Sequence, residues 1–153
     1  MDLLNHLALG FSTAASAVNL FYCLLGVFLG TAIGVLPGLG PVATIAMLLP
    51  VTFGLPPETA LIMLAGIFYG AQYGGSTTAI LVNLPGESSS VVTCLDGYQM
   101  ARRGRAGPAL ATAAVGVVLL ACATEGWLLG RIGMPARLLL GFAALLLMHP
   151  DAV

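Results

Sequence analysis

From Leu7 to Pro57 the chain runs for 51 residues without one charged side chain, and after Glu58 the stretch Thr59 to Gly86 adds 28 more. A helix needs about 20 apolar residues to cross the hydrocarbon core of a bilayer, so each stretch exceeds a single crossing. A soluble domain carries about 25% charged residues to clothe its surface; here 7% are charged and 59% hydrophobic, with a mean hydropathy of +1.03. The expected class is therefore an integral membrane protein, all-α and polytopic. Five arginines against six acids leave a net charge of −1. That is no basic footprint for phosphates, and nucleic acid is excluded as a partner.

Proline and glycine divide the apolar sequence into pieces. Residues 1 to 17 mix Asp2, His6, Ser12, Thr13 and Ser16 with apolar positions, a pattern suited to a short helix on the membrane surface. The N-terminus lacks the basic region of a signal peptide, so nothing is expected to be removed. Leu20 to Leu36 reads as a first span, stopped by Pro37-Gly38-Leu39-Gly40-Pro41, where no regular helix continues without losing backbone hydrogen bonds. Pro41 suits a first helical position, and Val42 to Leu49, ended by Pro50, is too short to cross alone. It reads as a re-entrant or half-helix. Thr59 to Leu84 is long enough to span and ends in a second break, Asn83-Leu84-Pro85-Gly86-Glu87. Arg102, Arg103 and Arg105 mark a cytoplasmic loop by the positive-inside rule. Ala106 to Thr124 is a further span, followed by Trp127 and Arg131 at the opposite interface. Leu138 to Met148 has only 11 residues and spans only if Arg131 and Arg137 snorkel.

Two ladders of small residues reinforce the helical reading. Gly26, Gly30, Gly34 and Gly38 recur every fourth residue, as do Gly66, Gly70 and Gly74. Each lines one helix face, and such stripes let backbones approach closely in lipid. The two helices are expected to pack against each other or against a partner's equivalents.

Several patterns point to chemistry and fail on inspection. Gly38-Leu39-Gly40-Pro41-Val42-Ala43 fits a dinucleotide fingerprint, but that motif needs a preceding strand in a soluble unit. Ser76 follows two glycines, yet His6 and His149 lie at the chain ends, so no base activates it. No catalytic residue is assigned. Cys23, Cys94 and Cys122 lie far apart without nearby histidine, which suggests packing and neither a metal site nor a disulfide framework. The pair of interrupted helices is different. Non-helical backbone at membrane depth is tolerated where it lines a cavity, and a half-helix N-terminus turns free N–H groups toward anions. Gln72, Tyr73, Ser76, Thr77, Thr78 and Asn83 bring hydroxyls and amides beside the second break. The expected substrate site is Gly38, Leu39 and Gly40 with Ser76, Thr77 and Thr78. Asn83 is a candidate for holding a coupled cation, and Asp96 stands between a solvated face and that same role.

The motifs Gly34-Val35-Leu36-Pro37-Gly38-Leu39-Gly40-Pro41, Tyr69 through Glu87, and Cys94-Leu95-Asp96-Gly97-Tyr98-Gln99-Met100-Ala101 resemble the large permease subunit, TctA, of the tripartite tricarboxylate transporters. The resemblance covers residues 1–115. It implies a multi-pass permease of the bacterial inner membrane, built as one half of an inverted-repeat transporter. Its substrate would be citrate or a related tri- or dicarboxylate, taken up with a cation, Na+ or H+, and no other cofactor. A periplasmic solute-binding protein and a small membrane subunit are the implied partners, with a homo-oligomer as a further expectation. Residues 116–153 read as a hydrophobic tail that departs from the family, and the chain carries a single copy of the motif. A truncated or rearranged product is therefore expected. The competing reading is a non-transporting accessory membrane subunit, packed through its glycine ladders, or an inactive remnant.

Overall fold

A computed structural model describes residues 2–125 and 133–147. These residues form α-helices and turns, with no strand among them. The helices are α1 (Asp2–Ala14), α2 (Ala17–Gly34), α3 (Pro41–Leu48), α4 (Pro57–Val82), α5 (Val91–Arg102), α6 (Ala106–Glu125) and α7 (Met134–Leu147). Short 3-10 turns at Leu49–Thr52 and Ser88–Ser90 follow α3 and precede α5. By length and composition, α2 and the Ala106–Ala123 part of α6 are apolar enough to cross a membrane. Trp127, Arg131 and His149 lie outside the described residues.

Local chemistry sets the helix ends. Ser16 caps α2, its extended backbone (φ −62°, ψ 144°) letting the side chain accept from the Asn19 N–H, which satisfies one of the donors a helix start leaves free. The helix closes at Gly34, two residues short of the expected Leu36, because the bend toward Pro37 begins there. Gly38 is thus outside the helix, in a turn at φ +86°, and the fourth step of its ladder plays no part in helix packing. Pro57 and Glu58 open α4, where a missing N–H costs nothing and an acid meets the positive dipole end. Asn83 closes it in the left-handed conformation, φ 60° and ψ 31°, with its N–H donated to the Ala79 carbonyl, a role to which asparagine is suited.

The glycines of α2 and α4 mesh. A Cβ on Gly26, Gly30 or Gly34 would run into the backbone of Met63, Ile67 or Ala71 in turn, and one on Gly66, Gly70 or Gly74 into Cys23, Val27 or Thr31. The partners rise together along both chains, so the helices are parallel. Hydrogen bonds at both ends agree. Thr59 Oγ1 donates to Asn19 Oδ1 at 2.6 Å where both helices start, and Thr78 Oγ1 donates to the Val35 carbonyl at 2.7 Å where α2 ends.

Parallel neighbours cannot be joined by a tight turn. The 18 residues of α2 rise about 27 Å, and the chain must descend that distance between Val35 and Pro56. It does so through α3 and the 3-10 turn Leu49–Thr52, about 20 Å together, and the turns of Phe53–Pro56. The piece that contains residues 42–48 enters at one end of α2 and leaves toward the other. Pro41, Thr44 and Thr52 are its buried residues.

Another side of α4 carries α5 and α6, and α7 packs on α6. Ile80 forms a core with Ala109 and Ala113, flanked by Met100, Ala101 and Leu110, and Gly97 of α5 lets that helix sit on the Ile80 side chain. Arg102, Arg103 and Arg105 are exposed on the turn between α5 and α6, which Gly104 makes at φ +78°. Arg137 of α7 reaches back to α6, its Nε donating to the Ala123 carbonyl at 3.0 Å. Such a contact satisfies an orphan carbonyl of a helix's last turn.

Candidate functional site

The two breaks lie 45 or so residues apart in the chain and meet in space. After Asn83 turns the backbone, Pro85-Gly86-Glu87 folds back onto α4. Gly86 rests on Gly75 so closely that a Cβ on Gly86 would overlap the Gly75 Cα. This backbone approach is open only to glycine at position 86, since a Cβ on Gly75 would meet Gly86 at an ordinary 3.5 Å. It carries Glu87 to the first break, where a Cβ on Gly40 would lie 3.6 Å from the Glu87 Cβ and 3.8 Å from its Oε2. The Glu87 Cγ is at ordinary contact distance, 3.8 Å, from a Cβ position on Gly75.

Hydrogen bonds fix this arrangement from three directions. Glu87 and Ser90 cap the short turn reciprocally: the Glu87 side chain accepts from the Ser90 N–H, and the Glu87 N–H donates to Ser90 Oγ at 3.1 Å. Ser89 Oγ donates to Glu87 Oε1 at 2.7 Å, and Gln72 Nε2 on α4 reaches Ser89 Oγ at 3.4 Å. On the other side, Thr44, fully buried, donates its hydroxyl to the Gly40 carbonyl at 3.1 Å. That anchors the start of α3, whose first-turn N–H groups at Val42 and Ala43 precede the first intrahelical bond at Thr44 and have no helical acceptor.

The hydroxyl residues of α4 do not act alike. Ser76 Oγ donates to the Gln72 carbonyl at 3.2 Å and Thr77 Oγ1 to the Tyr73 carbonyl at 2.9 Å, the back-bonding common to such residues inside helices. Their hydrogens change partner by rotation alone. Thr78 Oγ1 lies 3.2 Å from the Gly74 carbonyl in the same way, but its shorter bond, 2.7 Å to the Val35 carbonyl at the end of α2, pins the first break to α4. Thr78 and Ser76 are both buried, Thr77 half-buried.

The structure therefore brings Gly40 of the substrate set beside Glu87 of the second break, while Thr78 of α4 is bonded to Val35, where α2 ends. Gly38 lies on the exposed turn and Leu39, half-buried, between them, its N–H on the Leu36 carbonyl. Asn83 is exposed at the end of α4, and Asp96 is half-buried on α5. Neither side chain is hydrogen-bonded to the junction. The residue that sequence reasoning passed over is Glu87. It was visible as the charged end of the second break, but only the fold of Pro85–Gly86 onto Gly75 shows that its carboxylate sits at the first. Asn19 was also missed. It is buried, accepts from Thr59 and donates its Nδ2 to the Thr13 carbonyl at 2.7 Å, tying α1, α2 and α4 together.

Comparison with known sequences gives two findings. The model of a family described as the tripartite tricarboxylate transporter TctA family matches residues 20–135, a stretch that contains both breaks, both glycine ladders and residues 116–135. A protein of Agrobacterium vitis, described as an uncharacterized 52.8 kDa protein in the TAR-I ttuC' 3' region, is 69% identical over 122 residues, 80% of this chain and 24% of that protein. The chain thus spans about a quarter of the length of the curated relative it matches. No solved structure matches it.

Proposed function

The chain belongs to the tripartite tricarboxylate transporter TctA family, a family of transporters and not of enzymes, and on that premise we propose that it forms a substrate-binding unit of a permease for citrate-like tri- and dicarboxylates. The observation that carries this reading is the meeting of the two helix breaks, which sets the open start of α3 at Gly40 beside Glu87, itself against Gly75, the residue before the hydroxyl run of α4. One carboxylate of the substrate is held by the backbone N–H groups of Gly38 and Gly40, on either side of Leu39, and of the first turn of α3, where the dipole favours negative charge. Ser76 and Thr77 rotate their hydroxyls from their own helix to a second oxygen, and Thr78 keeps the break in place.

Around this site the apolar helices cross the bacterial inner membrane more than once, with α1 on its surface and the arginine turn in the cytoplasm. Phe21, Leu24 and Phe28, all exposed on α2 opposite its glycines, face lipid or further helices of the same permease. A periplasmic solute-binding protein delivers substrate, a small membrane subunit completes the assembly, and a cation accompanies uptake.

The test is uptake of radiolabelled citrate by cells producing the chain with its two partner subunits. Gly38→Leu, which forces a branched side chain into a turn at positive φ, is expected to abolish uptake, and Ser76→Ala to reduce it. Unchanged uptake in both variants would reject the site.

A further inference from the structure

Arg102, Arg103 and Arg105 gather three of the chain's five basic side chains into one exposed turn, and the fold itself does not account for them all. Arg102, in the last turn of α5, suits the negative end of that helix. Arg105 does the reverse. Its carbonyl accepts from the Ala109 N–H and so opens α6, placing a cation at the dipole end that disfavours it. Among the described residues none of the three guanidiniums is paired with a carboxylate; the nearest acid in sequence, Asp96, lies about 9 Å back along α5.

The helices that leave this turn are apolar on their exposed faces. Met100 and Ala101 of α5 pack against the core that holds Ala109 and Ala113 of α6, so the two helices run side by side away from the arginines. On α5, Val92, Leu95, Gln99 and Arg102 recur every third or fourth residue and are all exposed, which puts them on one face. That line passes from apolar side chains to an amide to a guanidinium. From Val92 to Arg102 it measures about 15 Å, the depth of one leaflet in a hydrocarbon core of about 30 Å. The pattern repeats on the other side of the turn: Val115 and Val118 of α6, 51% and 59% exposed, lie about 15–20 Å along the helix from Arg105.

Positive charge at one end of an apolar line one leaflet long is complementary to a phospholipid with a net negative head; a free phosphate would leave the apolar part unused. We infer that the α5–α6 hairpin binds an anionic phospholipid, its phosphate on the guanidiniums of Arg102, Arg103 and Arg105 and an acyl chain along Val92 and Leu95. A guanidinium meets phosphate oxygens with a fork of parallel N–H donors, and Gln99 offers an amide donor at the boundary between head and chain. The inference rests on the membrane placement proposed above and is independent of the carboxylate site.

The experiment uses the full chain in detergent micelles, with bound lipid counted by native mass spectrometry as phosphatidylglycerol or phosphatidylcholine is added. Wild type is expected to hold phosphatidylglycerol up to roughly 100-fold more tightly than phosphatidylcholine, a preference that shrinks with salt. Arg102→Gln, Arg103→Gln and Arg105→Gln each lose about fivefold of it, the triple variant loses all of it, and Arg137→Gln on α7 keeps it. Circular dichroism confirms that the triple variant is folded, and the single variants, each altering one exposed side chain, carry the test if it is not. Leu95→Asn weakens phosphatidylglycerol binding with every charge retained. Equal affinity of wild type for the two lipids, or a preference undiminished in the arginine variants, overturns the inference. Displacement of the lipid by an equal concentration of glycerol 3-phosphate, a head without its chains, assigns the turn to free phosphates and overturns it as well. Flotation of wild type with phosphatidylcholine vesicles tests the premise separately: a chain that does not float refutes the membrane placement, whereas one that floats and shows no preference for phosphatidylglycerol refutes the lipid site alone.

Discussion

Replacing Gly30 by alanine adds a single methyl group in the middle of the α2–α4 seam. Its Cβ would lie 2.8 Å from the Ile67 Cα and 2.9 Å from the Ile67 carbonyl carbon, both backbone atoms that cannot rotate away. Ordinary contact requires roughly 3.5–4.0 Å, so the helices must separate by about 0.5–1 Å. A gap of that size forfeits a quarter to a half of each van der Waals well of about 0.1–0.2 kcal/mol. Over about 50 atom pairs in the seam the loss is roughly 3 kcal/mol, against a gain of about 1 kcal/mol from alanine's better helix propensity. The net expectation is destabilisation by about 2 kcal/mol. Gly107→Ala makes the same chemical change in the first turn of α6, where nothing lies within 4 Å of the new methyl, and should be neutral or stabilising by up to about 0.5 kcal/mol. Both are read by titration with a denaturing detergent, followed by circular dichroism. If Gly30→Ala is as stable as Gly107→Ala, the seam is not a backbone contact and the parallel packing of α2 and α4 is wrong.

Other expectations follow from single contacts. Thr59→Val leaves the buried Asn19 Oδ1 without its donor and should cost about 1–3 kcal/mol, whereas Thr59→Ser should recover most of it; equal stability of Val and Ser variants would deny the bond. Thr78→Val removes the link to the Val35 carbonyl and should lower stability by about 1 kcal/mol, with amide hydrogen exchange rising at residues 35–40; exchange confined to α4 would contradict its role at the first break. Gly86→Ala should push the second break off Gly75, leaving helical content unchanged while citrate uptake falls; undiminished uptake would mean that this close approach does not shape the site.

Much of the local structure is written in the sequence. Pro37 to Pro41 and Asn83 to Gly86 announce their breaks because proline cannot donate and glycine or asparagine tolerates left-handed backbone, and the four-residue recurrence of Gly26, Gly30 and Gly34 announces a helix face. Orientation is not written there. As a sequence pattern the glycine ladders are compatible with parallel or antiparallel packing; the order of their contacts in the fold decides it, and Asn19–Thr59 and Thr78–Val35, each linking residues 40 or more positions apart, agree. The misplacement of Gly38 has the same origin: period alone extends the ladder past Gly34, while the backbone leaves the helix at that point. Glu87 was legible as a charge and illegible as a site residue, since its location depends on one long-range contact between Gly75 and Gly86. Thr78, grouped by sequence with Ser76 and Thr77, differs from them only in facing the end of α2.

The account stands on the two breaks forming one junction, and a disulfide tests that directly. With Cys23, Cys94 and Cys122 replaced by alanine, the pair Gly40→Cys and Glu87→Cys places two thiols on Cβ atoms 3.6 Å apart, within the roughly 3.5–4.5 Å a disulfide requires. The account predicts that mild oxidation in native membranes closes this bond and protects both thiols from a bulky maleimide until a reductant is added. A pair of Gly40→Cys with Ser12→Cys, on the exposed face of α1, should stay fully reactive. If the Gly40 and Glu87 thiols both remain open to maleimide after oxidation, the breaks do not meet.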